Sequence, residues 1–177
     1  MKKILGTLSF VVAALLLTTS FAQAQSATGT TSVQVSVGAE ASITVTTGTT
    51  TLGTAGTVFN NYTGTTNFSY KIRTTKSGGT GSITVQFNQD LTSAPDTIPI
   101  ANLSYTCTVA GPGTGGSSAQ TAVKSPTPGS NVATFGTDAH SADAGTAGNS
   151  VSWTLVNNPS YKTGNYSATA TFTIAVP

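Results

Sequence analysis

The stretch Val33-Gln34-Val35-Ser36-Val37-Gly38-Ala39-Glu40-Ala41-Ser42-Ile43-Thr44-Val45 decides the fold class. Its odd positions are all apolar, and its even positions are polar or Gly. Successive side chains of a strand point to opposite faces, so this register makes one apolar face and one wetted face. A helix would need apolar residues three and four apart, which here would fall on both sides. The stretch reads as a strand, and its length is unusual. Thirteen residues at about 3.3 Å each reach roughly 43 Å, about twice an ordinary strand. A small domain cannot cover that length with its own core. Either Gly38 divides the stretch into two strands of one sheet, or the first half, carrying Val33, Val35 and Val37, finds its apolar partner elsewhere.

Upstream of this stretch the chain reads as an address. Lys2 and Lys3 precede an apolar run from Ile4 to Leu17, and Ala22-Gln23-Ala24 supplies a small-x-small cleavage pattern. Together they form a secretory signal peptide over residues 1–24. The run is short for a membrane span, and no later segment is long and apolar enough to cross as a helix. The expectation is export to the cell surface or beyond, with the periplasm as a transit compartment and no transmembrane segment in the mature chain. Residues 25–37 then form an N-terminal extension or donor strand, and 38–177 a single domain, long enough for a real core.

With the leader removed, Lys71, Arg73, Lys76, Lys124 and Lys162 balance Glu40, Asp90, Asp96, Asp138 and Asp143. The mature chain is neutral, and the electrostatic footprint of a nucleic-acid partner is missing. Its surface consists of Thr, Ser, Gly and Asn, which titrate little and give up the charge repulsion that discourages association. Cys107 is the single cysteine. It shares a strand phase with Leu103, Tyr105 and Val109, so it reads as a buried, inert thiol rather than half of an intermolecular disulfide.

Further strands follow by alternation. Phe68, Tyr70 and Ile72 face inward from Asn67–Arg73, and Ile83, Val85 and Phe87 from Ser82–Phe87. With Lys76-Ser77-Gly78-Gly79 between them, these two strands are expected to pair antiparallel. Asn60–Gly64 reads as a turn, and Asn88–Asp96 as a loop. Val132–Phe135 reads as a short edge strand. Val151, Trp153 and Leu155 face inward, and the last strand, released by Gly164, runs from Tyr166 through Phe172 and Ile174 to Val176. The resulting class is an all-β, antiparallel β-sandwich, its long loops suiting Greek-key crossings. The expected core contains Phe68, Tyr70, Ile72, Ile83, Val85, Phe87, Trp153, Leu155, Phe172 and Ile174.

Chemical signatures are sparse. His140 is the single histidine, so a His-rich zinc site is excluded, and no nucleophile elbow or P-loop occurs. The cluster Asp138-Ala139-His140-Ser141-Ala142-Asp143 lacks the oxygen density of a calcium loop and reads as a solvated segment. Asp90 and Asp96 read as turn formers rather than a glycosidase pair. No catalytic residue, cofactor or metal ligand is expected, and the chain reads as non-enzymatic. Trp153 lies in phase for burial, whereas Tyr62 and Tyr161 sit in turns as candidates for an exposed aromatic platform that contacts glycans.

The closing segment Gly164-Asn165-Tyr166-Ser167-Ala168-Thr169-Ala170-Thr171-Phe172-Thr173-Ile174 resembles the last strand of bacterial fimbrial subunits and of spore-coat-U-type secreted domains. The opening, a signal peptide and then an alternating strand, is similar too. The resemblance implies an incomplete immunoglobulin-like sandwich completed by the N-terminal extension of a neighbour. It further implies a structural subunit of an extracellular fibre, pilus or coat, a homopolymer built by strand exchange. Val33, Val35 and Val37 would be the polymer contacts. One departure is that many fimbrial subunits carry a disulfide, and Cys107 has no partner. The second reading is a self-contained secreted binding or adhesion module that contacts glycans or a surface through its loops.

Overall fold

In the computed structural model, the described residues are 28–54, 56, 58–116 and 118–177. The expected signal peptide and the first residues of the extension lie outside them. The chain divides into two units, Met1–Val35 and Ser36–Pro177. In the first unit, residues 28–35 carry neither helix nor strand.

The second unit is an all-β sandwich. Its strands are β1 (Glu40–Val45), β2 (Gly53–Thr54), β3 (Tyr62–Arg73), β4 (Gly81–Phe87), β5 (Leu91–Ser93) and β6 (Asp96–Ile98). They continue as β7 (Leu103–Thr108), β8 (Thr114–Gly115), β9 (Gln120–Thr121), β10 (Ser130–Phe135), β11 (Thr146–Leu155) and β12 (Ala170–Ala175). One sheet has the order β1-β3-β11-β7-β9, with β2 also on β3; the facing one is β12-β4-β10-β8, and β5-β6 form a separate two-stranded sheet. All the pairings between named strands are antiparallel. Among the described residues no helix is long and apolar enough to cross a membrane.

The long alternating stretch resolves at its middle. Strand begins at Glu40, paired with Arg73, and ends at Val45, paired with Phe68. Residues 28–39 form no strand. Ile43 faces inward and is half-buried, whereas Ala41 and Val45 stay exposed because β1 is an edge strand.

Several sequence expectations are corrected. Asn60–Gly64 is not a turn: β3 starts at Tyr62 and pairs Tyr62, Thr63 and Gly64 with Leu155, Thr154 and Trp153. Gly64 is there for close approach, since a Cβ would meet Leu52 Cδ2 and the Thr51 carbonyl oxygen, each at 2.8 Å. β3 and β4 do not pair. They lie in opposite sheets, so Phe68, Tyr70 and Ile72 meet Ile83, Val85 and Phe87 across the core. Alternation fixes which face a side chain takes, not which sheet its strand joins.

β10 is not an edge strand but lies between β4 and β8. An irregularity between Asn131 and Ala133 lets both Val132 and Ala133 be fully buried. Asn88–Asp96 contains half of the hairpin β5–β6, which pairs Leu91 with Ile98. The last strand begins only at Ala170, because the segment before it bonds elsewhere: Thr92 and Ser167 exchange backbone hydrogen bonds of 3.0 and 3.1 Å.

The core follows the predicted phase. Phe87 packs edge-on against Trp153 at 5.4 Å between ring centroids, and Tyr70 against Phe135 at 5.0 Å. Eight of the ten expected core residues are buried. Phe172 and Ile174 are only partly buried, because β12 is an edge strand that β4 covers on one side alone.

Candidate functional site

The two sheets part at one end of the sandwich and leave a cleft of about 1160 Å³. Its floor is buried core: Phe87, Leu91, Ile98, Leu103, Trp153 and Leu155. These are the inward residues of β4, β5, β6, β7 and β11, so the strand phase that builds the core also builds the floor. One wall is Thr47–Leu52 after β1; the other is the segment from Tyr161 to Ala170, with Phe172 of β12.

Both walls are braced. Thr50 Oγ1 lies 2.6 Å from Thr66 Oγ1, and Leu52 is seated on Gly64. Opposite, Asn102 Nδ2 donates to Tyr161 Oη at 2.9 Å, and Lys162 Nζ lies 2.9 Å from Asp96 Oδ1. Tyr166 Oη donates to the Lys162 carbonyl at 3.1 Å, and Gly164 sits over Ser93 with no room for a Cβ. Lys162 is the charged side chain lining the cleft, and its carboxylate partner holds its ammonium above the ordinary lysine range. The rim is otherwise hydroxyl, amide and aromatic.

Two sheet edges border this end. β12 pairs β4 and no other strand among the described residues, and β1 pairs β3 and no other. The two edges approach each other across the sandwich. Each presents backbone N–H and C=O groups without a ladder partner, and the cleft beside them is lined at its base by buried apolar side chains. An open edge beside an apolar groove can accept an extended strand, which would pair the backbone and bury alternate side chains.

The structure places the sequence-derived site residues as follows. Val33, Val35 and Val37 are exposed at 90, 85 and 62 %. Tyr62 and Tyr161 are not on an exposed platform: both are half-buried and line the cleft. Trp153 is buried at its floor, and Nε1 donates to Thr66 Oγ1 at 2.8 Å. Cys107 has the expected phase but is only half-buried, and burial pushes its thiol up to about 11. Asp90 and Asp96 serve separate partners. Asp90 binds Lys124 and accepts the Ile100 N–H, which together hold its carboxyl below the ordinary range, whereas Asp96 binds Lys162. Asp138–Asp143 braces the end of β3, with Thr74 N–H donating to the Ala139 carbonyl and Ser141 N–H to that of Ile72. Among the described residues no three His, Cys, Asp or Glu side chains gather as a metal site would require.

Sequence reasoning missed the wall Thr47–Leu52 and the floor residues Leu91, Ile98 and Leu103 as parts of one site. They are distant in sequence and carry no shared motif. Comparison with family models, with curated proteins and with solved structures returns no match.

Proposed function

We propose that the chain is an exported, non-enzymatic structural subunit of an extracellular fibre, pilus or coat that assembles by strand addition. In this reading the sandwich is immunoglobulin-like and lacks one strand, that beside β12. The observation that carries the proposal is the juxtaposition of two unpaired edges, β1 and β12, with a cleft floored by Trp153 and Leu155. The exposed segment with Val33, Val35 and Val37, alternating in sequence and outside any strand, is the complementary part. Burying each valine would contribute about 1.5–3 kcal/mol before the cost of ordering the segment. The neutral mature surface removes the repulsion that would oppose packing of copies.

Size-exclusion chromatography of the exported chain with and without residues 25–37 tests this. Oligomers that vanish on truncation, or with Val35→Asp in the intact chain, support the reading. A monomer in every case sinks it. A second reading rests on Tyr62, Tyr161 and Tyr166 beside neutral hydroxyl groups in the same cleft: a module that binds uncharged glycans. It requires the truncated chain to bind oligosaccharide with the cleft open, and loss of that binding in Tyr161→Ala.

A further inference from the structure

We infer that residues 156–169 form a latched strap over the apolar floor of the cleft, and that the floor is offered only when the strap swings off the β5–β6 hairpin. This holds whichever occupant fills the cleft, and so does not rest on the strand-addition reading. Strand pairing fixes both ends of the strap. Leu155 stands opposite Leu103 and Tyr62, and the chain re-enters a sheet at Ala170, opposite Phe87. Between them no residue belongs to a named strand. The run opens on Asn157-Asn158-Pro159, a turn pattern suited to a hinge. From 156 to 169 not one side chain is buried. Tyr161, Tyr166 and Ala168 pack against the core cluster but are only partly covered by it.

Polar bonds hold the strap down. Thr92 and Ser167 exchange their two backbone bonds, and Asn88 N–H donates to the Thr169 carbonyl at 3.0 Å. Asn88 Oδ1 accepts from Thr169 N–H at 2.8 Å. Farther along stand two exposed latches, Asn102 to Tyr161 and Lys162 to Asp96. The hairpin is the fixed side of this contact, because its Leu91 and Ile98 are buried. Water can replace each exposed latch at small net cost. A segment that buries few apolar groups and depends on such bonds opens far more readily than the core beneath it. Leu91, Ile98, Leu103 and Trp153 line the cleft and are nevertheless buried while the strap is down. An occupant that needs the floor binds only the open state, so its apparent affinity is lowered by the closed fraction. One that touches the hydroxyl and amide rim alone carries no such cost.

Trp153 is the single tryptophan, and its indole N–H, bonded to Thr66 Oγ1, reports on the floor without any ligand. The test follows exchange of that proton by NMR, and acrylamide quenching of the indole, in dilute exported chain at rising sub-denaturing urea. Exchange through local opening should respond to urea far less steeply than global unfolding does. The lock is Thr92→Cys with Ser167→Cys in a Cys107→Ala background. As a directly hydrogen-bonded antiparallel pair, the two Cα atoms stand about 5.5 Å apart, within disulfide reach. Oxidation should slow indole exchange and reduce quenching, and reduction should restore both. Tyr161→Phe removes the acceptor for Asn102 and should speed exchange about two- to five-fold with little change in the unfolding midpoint. Wild-type exchange that follows the slope of global unfolding overturns the strap, as do oxidised and reduced forms that exchange alike. Should the cross-link not form, the urea slope and Tyr161→Phe decide alone, and a variant whose exchange and midpoint shift in proportion counts against the strap. Neither readout involves assembly, so failure here leaves the proposed function to its own chromatographic test.

Discussion

Trp153 donates its indole N–H to Thr66 Oγ1 at 2.8 Å, across the pairing of β11 with β3 and deep in the sandwich. Thr66 in turn touches the Thr50 hydroxyl, so this short chain runs from the floor of the cleft to its wall. Thr66→Val keeps the shape and strand propensity of the residue but leaves the buried indole N–H without an acceptor. The expected loss is about 1–3 kcal/mol, the desolvation cost of an orphaned donor. Equilibrium denaturation measures it, and a loss below about 0.3 kcal/mol would mean the bond contributes nothing.

The core and the cleft edge should respond unequally to truncation. Trp153 is 3 % exposed, whereas Phe172 is only partly buried on an edge strand, 5.9 Å from the ring of Phe68. Trp153→Ala should cost about 3–5 kcal/mol, the range for a buried aromatic. Phe172→Ala should cost roughly half as much, since less apolar area leaves water on folding. Equal losses at the two sites would show that β12 is covered in solution.

The acid limb of stability should report Asp90. Lys124 and the Ile100 N–H lower its folded pKa from the ordinary 3.8. A carboxyl depressed in this way stabilises the fold above its unfolded value and loses that contribution as pH falls through the folded value. The melting temperature should thus fall as pH drops below about 3.8, and Asp90→Asn should flatten that limb while lowering the plateau at neutral pH. An unchanged acid limb in the variant would assign the loss to other carboxyls.

What the sequence disclosed and what it withheld separate along physical lines. Alternation fixed the inward faces of β3, β4 and β11, because period two is a local property of each strand. Which strands are neighbours is a long-range property, so β3 and β4 were wrongly paired. The distinction between Gly64 as a turn and Gly64 as a close approach is invisible locally, since both require the missing side chain. The cleft was barely legible. Only the surplus length of the Val33–Val45 stretch hinted at an apolar partner elsewhere, whereas the floor formed by Leu91, Ile98 and Leu103 depends on how a hairpin folds over. Asn149 had no legible role at all. Its buried amide accepts from Ala110 N–H and donates to the Phe68 and Thr146 carbonyls, filling the gap in the ladder between Thr146 and Asn149.

Cys107 should be slow to label. Burial raises its thiol from 9.0 to about 11, which at neutral pH lowers the thiolate fraction about 100-fold, and the thiolate is the reacting form. Stability should decline as pH rises from 9 toward 11, because across that window the unfolded chain has released a proton that the folded chain retains. Labelling with a maleimide, in buffer and in denaturant at one pH, checks the first statement. Equal rates would place the sulfur in open solvent and revive a bond between chains.

A pair of glycines tests whether the wall of the cleft is set by packing against β3. A Cβ on Gly64 would meet Leu52 Cδ2 and the Thr51 carbonyl oxygen at 2.8 Å, and Thr50 Cγ2 at 3.1 Å. A side-chain methyl can rotate away, but the Thr51 carbonyl is backbone, so Thr50–Leu52 must move as a unit. That segment is the wall nearest β3, and its Thr50 hydroxyl would be drawn off Thr66. Gly64→Ala should therefore destabilise by about 1–3 kcal/mol, the usual cost of overpacking, and should weaken uptake of an Ala27–Val37 peptide by a chain lacking its own extension. Gly53 is the control. It lies in β2, opposite Thr63, and a Cβ there would meet nothing within 4 Å. Gly53→Ala should change stability by no more than about 0.5 kcal/mol and leave peptide uptake unaltered. If both variants behave alike, the wall is not held by its seat on Gly64, and the shape of the cleft must come from the Tyr161–Ala170 side.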